Sequence, residues 1–146
     1  MTSASDPHIV PDAQVRGQRA FDGDPDRVRD AREYVADLLL ARGWSEPAVE
    51  KARLVISELA SNAVLHAQTP FELTCHIDGT ARFEIRDWDP YSVPLVTDGN
   101  PGRVGGLGLR LIEAIATEWG VEKHSAFKVV WCTVDAGDRP PVTPTA

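Results

Sequence analysis

The sequence contains no apolar run approaching the roughly 20 residues that a membrane-spanning helix needs. Its polar opening, Met1–Gln18, lacks the apolar core of a secretory signal. These two absences predict a cytoplasmic protein with no membrane partner. Basic residues are in short supply: 15 Lys and Arg against 22 Asp and Glu leave a formal net charge of −7. That deficit argues against direct, sequence-independent contact with nucleic acid, where Lys and Arg must neutralise phosphates. There are only two cysteines, Cys75 and Cys132, each alone in an apolar, strand-like stretch. No Cys-x-x-Cys or Cys/His cluster suggests zinc. The pair reads as two small core residues in a reducing compartment, and a disulfide requires their strands to be neighbours. Internal repeats are absent.

What is present fits one globular domain. The 146 residues, 42% of them hydrophobic and 25% charged, suffice for a core without disulfides or structural metal. Residues 1–17 show no periodicity and read as a flexible leader. Residues 137–146 hold three prolines and read as a flexible tail. The domain is expected to cover residues 18–136.

Arg19–Phe21 reads as a short strand at a sheet edge. Asp24 is a good N-cap with Pro25 behind it, and Val28, Ala31, Val35, Leu38 and Leu39 recur at helical spacing until Gly43. A second helix is predicted from Ser45 to about Ala67, stopped by Pro70. Phe71–Ile77 and Ala81–Arg86 alternate apolar and polar residues around the hairpin signal Asp78-Gly79. Residues 87–106 are loop-like and long enough to mark a lid or binding loop. A third helix is predicted over Leu107–Trp119, closed by Gly120, and a last strand over Lys128–Val134. This order gives an α+β fold: a two-layer α/β sandwich with a mostly antiparallel sheet and helices on one face.

Three stretches carry the chemistry. Glu58, Asn62 and His66 are spaced i, i+4, i+8 and line one side of the second helix. A carboxylate can orient or deprotonate a nucleophile, and an amide oxygen is a hard ligand suited to Mg2+. The plain alternative is a solvated polar face. Gly105-Gly106-Leu107-Gly108-Leu109 opens the third helix, where backbone N–H groups and the helix dipole can hold phosphate; such loops also serve as simple turns. Asp87 stands where the chain leaves a strand. It can accept a hydrogen bond from an exocyclic amine such as adenine's, or it can be an ordinary turn aspartate.

Taken together, the segments ISELASNAVLHA (56–67), IRDWDP (85–90) and GGLGLRLIEAIATEWGV (105–121) resemble the GHKL ATPase superfamily of gyrase, chaperone, histidine kinase and MutL type. KVVWCTV (128–134) and FDGDPDRVRDAREYV (21–35) extend the likeness over about residues 19–135. Within that superfamily the sequence is most similar to the SpoIIAB/RsbW-type anti-sigma factors, in their actinobacterial form, which are serine protein kinases. The resemblance implies the Bergerat, histidine-kinase-like ATPase fold and a site for ATP with Mg2+. Asn62 matches the Mg2+ ligand, Glu58 the base that activates a partner's serine hydroxyl, and Asp87 the reader of the adenine amine. Gly106 and Gly108 match the phosphate-loop glycines, with Gly105, Leu107, Leu109 and Arg110 around them. His66 falls where relatives often carry His, either as pocket wall or as core packing. The first glycine box departs from the pattern: it reads Asp87-Trp88-Asp89-Pro90-Tyr91, without glycine. In the lid, Ser92–Val104, Arg103 is the basic residue, and either it or Arg110 could reach phosphates.

The resemblance implies an anti-sigma factor with serine/threonine kinase activity toward a STAS-type anti-sigma-factor antagonist. Its partners would be that antagonist and a sigma factor, and it would form a homodimer through the sheet edge and first helix. The competing readings are a non-catalytic protein-binding regulator with weak or no nucleotide binding, and a module of a larger signalling protein. A histidine kinase is disfavoured, because no dimerisation helix carries a phospho-acceptor His. Trp44, Trp88 and Trp119 are candidate interface anchors, with core packing the simpler account of Trp44 and Trp119.

Overall fold

The computed structural model describes residues 15–91 and 108–136. The expectations placed on the lid, Arg103, Gly105, Gly106 and Leu107, and on residues 1–14 and 137–146, lie outside the described residues. The elements are β1 (Val15–Phe21), α1 (Asp26–Ala41), α2 (Glu46–Ser61) followed by a π-helical turn (Asn62–Ala67), β2 (Phe71–Ile77), β3 (Thr80–Asp87), α3 (Gly108–Ile115), β4 (Glu118–Lys123) and β5 (Lys128–Asp135).

Both long helices begin on signals written in the chain, and α1 also ends on one. Asp24 Oδ1 accepts the Asp26 N–H at 2.9 Å, satisfying a donor that the first turn leaves without an intrahelical partner. At the other end of α1, Gly43 adopts φ +82°, which glycine reaches at no steric cost. Its N–H bonds Leu40 O at 3.0 Å, and the Trp44 N–H bonds Leu39 O at 3.1 Å, the paired bonds of a Schellman motif. That turn sends Trp44 into the core, so its role is packing. Ser45 then caps α2 by accepting the Ala48 N–H at 3.3 Å, with Pro47 in the first turn.

The sheet has the order β1-β2-β3-β5-β4, and every neighbouring pair is antiparallel. β2 and β3 alternate buried and half-exposed residues as their sequence alternation predicts. Their inward residues Leu73, Cys75, Ile77, Phe83 and Ile85 join Val130, Cys132 and Val134 of β5 on one face. α1 and α2 cover that face with Val35, Leu39, Val49, Val55, Ile56 and Leu59, all essentially inaccessible to solvent. Each such side chain contributes about 1.5–3 kcal/mol relative to exposure. The α+β sandwich with helices on one face is therefore the architecture.

Two local expectations need correction, and the reading of the two cysteines as core residues holds. β1 has seven residues rather than the three of Arg19–Phe21, so Val15–Gly17 belong to the sheet and pair with Cys75–Ile77. α3 stops at Ile115, and Glu118 and Trp119 begin a strand instead of ending a helix. The reason is the partner strand: Trp119 and Val121 stand opposite Cys132 and Val130 and pack partly against the core. Finally, Cys75 and Cys132 both face Phe83 from opposite sides, on β2 and β5. A whole strand lies between them, about 10 Å of separation, beyond disulfide reach. Among the described residues, no helix is long and apolar enough to cross a membrane.

Candidate functional site

The helix that carries Glu58 and Asn62 changes character where Asn62 begins. α2 is regular through Ser61, and the next six residues form a π-helical turn closed by the Gln68 N–H to Ala63 O bond at 2.9 Å, an i→i−5 bond. Gln68 caps it in the left-handed conformation, φ 60°. The π turn thus closes the helix rather than interrupting it, as π turns at helix C-termini do. This one packs against β3, the strand that ends in Asp87.

Glu58 is half buried, and among the described residues no cation pairs with it. Burial pushes its carboxyl above the ordinary Glu range. One turn on, the Asn62 side-chain nitrogen is buried and finds no acceptor among the described residues. An orphaned buried amide next to an unpaired, half-buried carboxylate is costly unless a ligand uses it. His66 is exposed, which removes the core-packing reading. Leu65 and Trp88 are also exposed, at 43% and 44%.

Beyond β3 the chain follows its own aspartates. Asp87 Oδ1 accepts the Asp89 N–H at 3.0 Å, and Asp89 Oδ1 accepts the Tyr91 N–H at 3.0 Å. These successive Asx turns shape the Asp87–Tyr91 corner without the glycine of the related motif. Thr69 Oγ1 accepts the Trp88 N–H at 3.1 Å and so ties the end of the π turn to this corner. Gly23 completes the junction: a Cβ there would lie 2.8 Å from Thr69 O.

Asp87 is not an open carboxylate. It is 2% exposed, and so is Lys128, directly opposite it on β5. Lys128 Nζ donates to Asp87 Oδ1 at 3.0 Å, sits 2.9 Å from Oδ2, and donates to Asp89 O at 3.0 Å. Burial pushes the Asp87 carboxyl up, while the Lys128 ammonium and the Asp89 N–H pull it down. Lys128 escaped the reading of the sequence, although alternation carried the signal. Ala81, Phe83 and Ile85 put Asp87 on the core face of β3, and Val130, Cys132 and Val134 put Lys128 on the same face of β5. A lysine pointing into a core needs a carboxylate.

The remaining site residues are less fully placed. Gly108 and Leu109 head α3, which packs against α2, and Arg110 is exposed. Among the described residues no group of three or more His, Cys, Asp or Glu could hold a metal ion.

Comparison with known proteins places this arrangement. A family model described as the histidine kinase-like ATPase domain matches residues 21–134. A search of curated proteins finds no match. Among solved structures, the RsbU and RsbW domains of Rv1364c from Mycobacterium tuberculosis superpose with a TM-score of 0.64 at 17% identity, over 83% of this chain and 32% of that one. The chain thus spans about a third of that structure's length. The histidine kinase AdeS of Acinetobacter baumannii aligns at 14% identity and a TM-score of 0.47, over 82% of this chain and 68% of its own. The family match covers most of the domain, including Glu58, Asn62, Asp87 and Lys128, and the chain belongs to the histidine kinase-like ATPase domain family.

Proposed function

We propose that the domain binds ATP with Mg2+ along α2 and acts as a regulatory serine/threonine kinase of anti-sigma-factor type. The observation that carries this reading is the pair Glu58 and Asn62, one turn apart at the entry to a π turn, both partly desolvated and neither engaged by a described neighbour. The helix side fits the nucleotide: Asn62 offers its amide oxygen to the cation and its orphaned N–H group to a phosphate oxygen or water. The glycine sequence at Gly105–Leu109 supports a phosphate end by composition alone. Bound Mg·ATP supplies the phosphoryl group and neutralises charge at it.

The protein's own part is positioning and proton transfer. Glu58, with its carboxyl raised by burial, holds a partner's Ser or Thr hydroxyl and takes its proton as the hydroxyl oxygen bonds to phosphorus and ADP departs. In this reading the phospho-acceptor is a STAS-type antagonist, and a sigma factor is bound when the antagonist is absent. A homodimer would form through the edge strand β1 and α1, because an edge strand presents unpaired backbone groups. Incubation with labelled ATP, Mg2+ and candidate antagonists tests the kinase. If Glu58→Ala transfers phosphate as fast as the unaltered protein, the role given to Glu58 is wrong.

One observation favours a second reading, a protein-binding regulator that does not depend on nucleotide. Lys128 already neutralises the carboxylate that would receive the adenine amine. Calorimetry separates the two readings: no heat at millimolar Mg·ATP leaves only the second.

A further inference from the structure

The base end of the site departs from the chemistry expected of a lone aspartate. A bare carboxylate discriminates strongly: it attracts an amine N–H and gains nothing from a C–H or a carbonyl oxygen in the same place. Asp87 is not bare. Oδ1 accepts from Lys128 Nζ and from the Asp89 N–H, and Lys128 Nζ lies 2.9 Å from Oδ2. Lys128 Nζ also donates to Asp89 O at 3.0 Å. The charges cancel within about 3 Å, and both side chains are 3% exposed, so the pair is locked rather than fluctuating at a surface.

We propose that Lys128 is a specificity-determining residue that makes the base site nearly indifferent to the 6-substituent of a purine nucleotide. This rests on the nucleotide-binding reading above. With the pair in place, the carboxylate that a base would meet belongs to a neutral ion pair rather than to a free anion. The gain from an adenine amine falls to that of an ordinary hydrogen bond, and the loss on removing the amine falls with it.

The test measures affinity, not turnover. The unaltered protein is titrated by calorimetry with three diphosphates: ADP, IDP, and purine riboside diphosphate, which lacks any 6-substituent. The three dissociation constants are expected to agree within about fivefold. A free carboxylate reading the amine would separate ADP from the other two by on the order of 10- to 150-fold. Lys128→Met leaves the carboxylate without its counter-charge and is expected to raise the ADP preference into that larger range. The three nucleotides measured on the unaltered protein decide the matter even if Lys128→Met does not fold. A preference for ADP of about 10-fold or more in the unaltered protein, or a folded Lys128→Met with an unchanged ratio, overturns the proposal and leaves nucleotide binding standing. Binding of none of the three at millimolar concentration overturns both together.

Discussion

Lys128 and Asp87 face each other across the β3–β5 ladder, with the ammonium nitrogen 2.9 Å from one carboxylate oxygen and 3.0 Å from the other. Both are buried at the foot of an otherwise apolar core face. Breaking such a pair from one side strands a charge, which typically costs about 3–5 kcal/mol, whereas replacing both partners by apolar groups is often neutral. Lys128→Met alone is expected to lose stability in that range, and Asp87→Leu with Lys128→Met to regain most of it. Urea unfolding of the three proteins checks this; a double variant no more stable than the single one would show that packing, not charge, sets the cost.

Glu58 gives a pH signature with a definite sign. Burial raises its carboxyl, so the folded state binds that proton more tightly than the unfolded chain. Stability from this group is full below the unfolded value, about 4.3, and is lost as pH rises through the folded one. Glu58→Gln removes the burden of the buried charge. The variant should be more stable than the parent near neutral pH, with the gap closing as the pH is lowered to about 4. Equal stability at neutral pH would mean that Glu58 is solvated after all.

Gly23 is where backbone approaches backbone. A Cβ at this position would stand 2.8 Å from Thr69 O and 3.0 Å from Thr69 C, and no rotamer change relieves a clash with main chain. Gly23→Ala should cost about 1–3 kcal/mol. It should also weaken nucleotide binding, because Thr69 holds the Trp88 N–H at the base end. Thermal unfolding and titration of the same variant test both effects.

The cysteines offer a negative prediction. Burial pushes both thiols up to about 12, and Phe83 separates them. Neither should react with an alkylating agent in the native protein, both should react in denaturant, and a reductant should leave the unfolding midpoint unchanged.

The legible parts of the chain were those where one face is buried. The bounds Phe71–Ile77 follow from strict alternation and the Asp78-Gly79 corner, and the start of α2 follows from Ser45 and Pro47. β4 was hidden because it lies at a sheet edge with no fully buried residue, so its six residues do not alternate, and its first two, Glu118 and Trp119, read as the end of the amphipathic α3. The π turn leaves no mark in composition, since i→i−4 and i→i−5 bonding use the same side chains. In the site, Glu58, Asn62 and Asp87 were visible as residue types at a spacing. The Lys128 contact joins residues 41 positions apart, and only the strand register brings them together.

Calorimetric titration of the unaltered protein and of Asn62→Ala with ATP, with and without Mg2+, tests most directly whether the Glu58–Asn62 turn holds a nucleotide and its cation. Saturable binding that Mg2+ strengthens is expected in the unaltered protein, with loss of that strengthening in Asn62→Ala. No binding by the unaltered protein, or a Mg2+ effect of equal size in Asn62→Ala, would contradict that role of the turn.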